Sequence, residues 1–134
     1  MSALGRELAE RESAHSASLA RARETAARLH ALVGEALAAY HDAVRTAGAA
    51  QLEVALGAPR PDDKHLRAVQ FDLRRGRTAA LVTVKSRGEV TLVGPFRQGK
   101  DEGGCKSFPI EAEAEIEAAL GEFLTRFLTE AAAP

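Results

Sequence analysis

With 134 residues, 46% of them hydrophobic, the chain has enough apolar surface for one core and not for two. Its one cysteine, Cys105, excludes an internal disulfide and a cysteine-built zinc site within a single chain. The formal net charge of −1 conceals an uneven spread: 57–106 carries eleven basic and six acidic side chains, whereas 107–134 carries one basic and six acidic.

The first predicted element is a helix over 3–47, where proline is absent and alanine dominates. An apolar seam at alternating spacings of four and three runs through Leu19, Ala22, Ala26, Leu29, Val33, Ala36, Tyr40, Ala43 and Ala47. Leu37 and Val44 widen its far end, the part near Tyr40 that is expected to pack on the chain's own sheet. Glu7 with Arg11 and Glu24 with Arg28 are spaced to pair along the solvent side, and Gly48 supplies a stop. A helix of this length reaches about 65 Å, more than the width of a globule of this size. Two readings follow. Either the helix breaks near 13–18, or it projects and pairs with a second copy, in which case Leu19, Ala22, Ala26, Leu29 and Val33 form the dimer interface.

From Gln51 the period changes to two. The predicted sheet spans 51–96 as a four-stranded antiparallel meander: Leu52 to Leu56, Val69 to Arg74, Thr78 to Lys85 and Glu89 to Val93. Short turns at Arg75-Gly76 and Ser86-Arg87-Gly88 make successive strands antiparallel neighbours. A glycine-rich loop over 94–106 precedes a last helix over 109–130, with Pro109 in its first turn and Ile116, Leu120, Phe123, Leu124, Phe127 and Leu128 on its core face. The fold class is α+β in one domain, in the order α-β-β-β-β-α. The acidic start of the last helix and the basic sheet are expected to complement one another when they pack.

Candidate sites are few. Gly94 to Lys100 matches the GxxxxGK spacing of a phosphate-binding loop, but Asp101 stands where a hydroxyl should hold magnesium and no helix follows, so nucleotide hydrolysis is not expected. Arg97, Lys100 and Lys106 form a candidate anion site in the same loop, using side chains and exposed backbone N–H groups. Arg74, Arg75, Arg77, Lys85 and Arg87 at two hairpin tips are the residues a nucleic acid would meet. The strands present no outward aromatic side chains for base stacking, so nucleic acid is a disfavoured partner. Cys105 beside Lys106 lacks a histidine nearby in sequence, with His65 the one that folding could bring to it. His15, His30 and His41 are too far apart along one helix to ligate a metal together.

No acid, base and nucleophile set can be assembled from these residues, so no catalytic residue, metal or cofactor is assigned. The expectation is a homodimeric binding or assembly domain, with anion or nucleic-acid binding through the hairpin tips and the 94–106 loop as the alternative. No apolar run approaches the roughly 20 residues that a bilayer-crossing helix needs, and the first residues are charged, so a cytoplasmic protein off the membrane is expected.

Overall fold

The computed structural model describes residues 1–61, 67–99 and 103–133. Helix α1 (Ser2–Thr46) is followed by a single 3₁₀ turn (Ala50–Leu52). Among the described residues six strands come next: β1 (Ala55–Leu56), β2 (Arg60–Pro61), β3 (Ala68–Arg75), β4 (Thr78–Lys85), β5 (Glu89–Arg97) and β6 (Cys105–Pro109). Helix α2 (Glu113–Ala131) closes the chain. The architecture is α+β, as the periodicities predict. All strand pairs are antiparallel, in the order β1-β3-β4-β5-β6, with β2 also on the outer edge of β3.

The core forms because alternate strand residues point the same way. Val69, Phe71 and Leu73 of β3, Ala80, Val82 and Val84 of β4, and Val90 and Leu92 of β5 join the buried faces of both helices in one cluster. Helix α1 lies against β3 and β4, and α2 against β4 and β5. The intervening residues form the other face of the sheet. There Gln70, Thr83, Thr91 and Ser107 fall in one cross-strand row, and Leu81, Val93 and Cys105 in the next. The Thr91 and Ser107 hydroxyls are 3.0 Å apart and hydrogen-bonded.

The long helix does not break at 13–18. It is continuous, and its residues 2–14 are all exposed, a projection of about 20 Å beyond the last covered turn. Where α1 meets the body, its buried stripe is Ala22, Ala26, Leu29, Val33, Leu37 and Val44, with Tyr40 half-buried. After Val33 the stripe continues through Leu37 and Val44, where the seam is expected to widen, while Ala36, Ala43 and Ala47 are exposed. A straight helix repeats every 3.6 residues, so a stripe lying on a sheet drifts off a strict 3.5-residue seam. The proposed dimer residues are therefore placed differently from the expectation. Ala22, Ala26 and Leu29 have no exposed surface and Val33 has 1%, because the chain's own sheet and α2 cover them; only Leu19 is partly open.

Other boundaries shift for physical reasons. The segment 51–56 is expected as a full strand, yet only Ala55 and Leu56 pair with β3. The Tyr40 hydroxyl donates to the Leu52 carbonyl at 3.0 Å, and the Val54 N–H donates to His41 Nε2 at 3.1 Å. Side chains of α1 thus satisfy backbone groups that a strand partner would otherwise take. The expected loop over 94–106 is in part sheet. Strand β5 runs on through a register shift and the cis Gly94-Pro95 bond to Arg97, and β6 returns alongside it. Pro109 ends β6 instead of opening α2, and Ile110 then drops into the core. Glu111, just before α2, and Glu117 within it pair with α1. Arg21 meets Glu111 at 3.1 Å and Arg28 meets Glu117 at 3.2 Å, which joins the two helices side by side.

Candidate functional site

The sequence-predicted basic groups do not gather into one surface. Arg74, Arg75 and Arg77 lie at the β3–β4 turn, and Lys85 and Arg87 lie at the β4–β5 turn. The eight residues of β4 separate the two tips by about 24 Å. Arg75 has a structural task. Its Nε donates to the Gln51 carbonyl at 2.9 Å and its Nη1 donates to the Ala131 carbonyl, so it closes the C-terminal end of α2 against the 3₁₀ turn. A guanidinium there also meets the negative end of the helix dipole. Arg74 lies 3.5 Å from the Asp72 carboxylate, and Arg77 is exposed.

The candidate anion site of Arg97, Lys100 and Lys106 does not converge among the described residues. Arg97 pairs with Thr78 at one end of β5, while Lys106 pairs with Leu92 five residues back along the same strand. Lys100, Asp101 and His65 lie outside the described residues. The GxxxxGK match begins within β5, and the next described element is a strand and not a helix. Cys105 is exposed on the edge strand β6.

The three described histidines are separate from one another in role. His30 Nε2 is bonded to the Gly57 carbonyl at 3.0 Å, with its ring edge-on to Phe71 at 5.1 Å. A carbonyl accepts only, so that nitrogen carries the proton. His41 Nε2 accepts from Val54 and carries none. His15 stands at the root of the projecting helix. Among the described residues no group of three or more His, Cys, Asp or Glu is arranged to hold a metal ion.

A concavity sits where α1 leaves the body, at the β4–β5 turn end of the sheet. It is a recess of about 590 Å³ whose described walls are Ala14, His15 and Ser18 of α1, Arg67 and Ala68 at the start of β3, and Thr83, Lys85, Ser86 and Arg87. The Ser86 N–H donates to the Arg67 carbonyl at 2.7 Å, which ties the turn to the start of β3. Beside the recess one carboxylate oxygen, Glu89 Oε1, accepts from Lys85 Nζ and Arg87 Nη2, both at 3.2 Å, and from the Thr91 hydroxyl at 3.4 Å. Hydrogen bonds from Lys85 and then Arg87 hold the Glu89 carboxyl below its ordinary range. His15, Ser18, Arg67 and Ser86 were not foreseen as site residues, since they come from three separated stretches of sequence; the turn Ser86-Arg87-Gly88 was the one available signal.

The second surface feature is the projecting part of α1. Leu4 and Leu8 are 46% and 51% exposed and stand four residues apart, so they share one face. Continued at helical spacing, that face runs through Arg11, His15 and Leu19 into the buried Ala22 and Ala26. Around it lie Arg6, Glu7, Glu10 and Glu12, and Arg11, on the face itself, is paired to Glu7 at 2.8 Å.

No protein-family model, curated protein or solved structure matches this chain. Among the described residues no helix is long and apolar enough to cross a membrane.

Proposed function

We propose that this protein is an assembly domain without catalytic activity of its own, and that two copies associate through the projecting part of α1. The observation that carries this reading is the exposed pair Leu4 and Leu8, held on a helix that extends the same stripe the body buries. Leucines presented to solvent on one face of a projecting helix are stabilised when something covers that face. A second copy is a fitting cover, because the flanking charges are of both signs and self-compatible in an antiparallel pairing. Few large side chains take part, so the contact falls well short of a standard interface, and an affinity in the micromolar range or weaker is expected. Cytoplasmic placement accords with this reading.

The experiment is light scattering over a dilution series at low and high salt, on the wild type and on the double variant Leu4→Glu, Leu8→Glu. Association through leucines predicts a wild-type mass that climbs from 14.2 kDa toward twice that value with concentration, with little response to salt. The variant is expected to stay at 14.2 kDa throughout. A wild type that never exceeds the monomer mass, or a variant that associates as well as the wild type, rules the reading out.

A further inference from the structure

We infer that the recess at the root of the projecting helix binds a small phosphate ester, a use of the fold separate from the association of two copies. Its size lies within the usual range for small-molecule sites, roughly 300–1,000 Å³, and exceeds what a bare phosphate needs. The polar and charged lining is one-sided. Arg67, Lys85 and Arg87 are cationic, His15, Ser18, Thr83 and Ser86 offer further hydrogen bonds, and no carboxylate is among the described lining residues.

Glu89 sets the charge balance. Its single carboxylate is shared by Lys85 and Arg87, so among the described residues the three cations and this one anion leave a surplus of two positive charges. A phosphate monoester carries close to two negative charges at neutral pH, which matches that surplus better than a carboxylate does. Guanidinium groups suit phosphate oxygens because two N–H groups can meet two oxygens at once. The organic part of the ester then lies over Ala14, Ala68 and the aliphatic stems of the long side chains. Thr83 and Ser86 are 8% and 9% exposed and lie deeper in the recess than the exposed Arg67 and Arg87.

The test is an amide NMR titration of the full chain with phenyl phosphate, inorganic phosphate and phenol as separate probes. Phenyl phosphate is expected to give saturable shifts at Ala14, Ser18, Ala68, Thr83 and Ser86, with inorganic phosphate weaker at the same residues and phenol silent. The double variant Arg67→Ala, Arg87→Ala should weaken phenyl phosphate at least about tenfold, since charge-assisted hydrogen bonds are lost. Both side chains are exposed, and an unchanged amide spectrum of the free variant checks its fold. Equal binding by the variant, shifts centred on Arg74 to Arg77, or inorganic phosphate binding as tightly as the ester each overturns the proposal. So does a single-stranded oligonucleotide that binds this recess more tightly than phenyl phosphate, which would assign it to nucleic acid.

Discussion

Replacing Leu29 by alanine separates the two possible roles of the α1 seam. Leu29 has no exposed surface and packs in the cluster that unites α1, the sheet and α2. Truncating a fully buried leucine removes its transfer free energy and leaves a cavity, at a cost of about 3–5 kcal/mol. Against a total stability of roughly 5–15 kcal/mol, that is a large fraction, and it corresponds to a fall in melting temperature of roughly 10–20 °C. The assay is urea unfolding followed by far-UV circular dichroism, combined with light scattering of the folded protein under native conditions. If the seam belongs to the core, Leu29→Ala lowers the unfolding free energy by that amount and leaves association of the folded protein unchanged. If the seam were an interface, association would weaken while a folded monomer kept its stability. A loss below about 1 kcal/mol refutes the reasoning.

Gly94→Ala is expected to destabilise strongly. Gly94 has φ +98°, and a Cβ there would stand 3.0 Å from the Phe96 nitrogen and 3.2 Å from the Ala79 carbonyl; denaturant titration should show a loss of about 2–4 kcal/mol. Arg75→Ala removes the donors to Gln51 and Ala131, so amide exchange should accelerate in the last turn of α2 and at Ala50–Leu52, with a global cost of about 1–2 kcal/mol; protection unchanged at both places would count against the staple. Glu53 is held below its ordinary range by its hydrogen bond with Arg45, as Glu89 is by Lys85 and Arg87. For a carboxyl depressed in the folded state, the stabilisation is present above its unfolded pKa and disappears as pH falls through the folded one. Wild type and Glu89→Gln should therefore differ near pH 7 and converge on acidification below about pH 4.3; a gap that stays constant down to pH 3 contradicts the ion-pair account.

Much of the fold was legible because its signals are local and strong. Alanine-rich composition without proline announces α1, period-two alternation announces β3, β4 and the first half of β5, and Ile116 through Phe127 mark the buried side of α2. Strand β6 was not legible, because an edge strand reading Cys-Lys-Ser-Phe-Pro joins the sheet through its backbone and has little alternation to show. The segment 51–54 alternates like a strand, but the groups that claim its backbone are Tyr40 and His41, more than ten residues upstream. The α1 seam was visible as a seam, yet an apolar stripe looks the same whether its own sheet or another chain covers it. The recess escaped notice because its walls come from 14–18, 67–68 and 83–87, which only the topology brings together.

The projecting turns of α1 have a thermal consequence. Starting a helix is the costly step, and here the docked part, Ala22 onward, has already taken it. Residues 2–14 therefore form by extension from a fixed end, and they unwind toward that end turn by turn as temperature rises. No buried contact resists that unwinding, so it precedes and is independent of the cooperative melting of the body. Helical signal should then decline gradually well below the main transition, and the rod-like part of the molecule should shorten while the sheet is intact. A ligand or second copy that grips the outer turns draws the same equilibrium toward full length, so that occupancy at one end of the helix is registered as order along it.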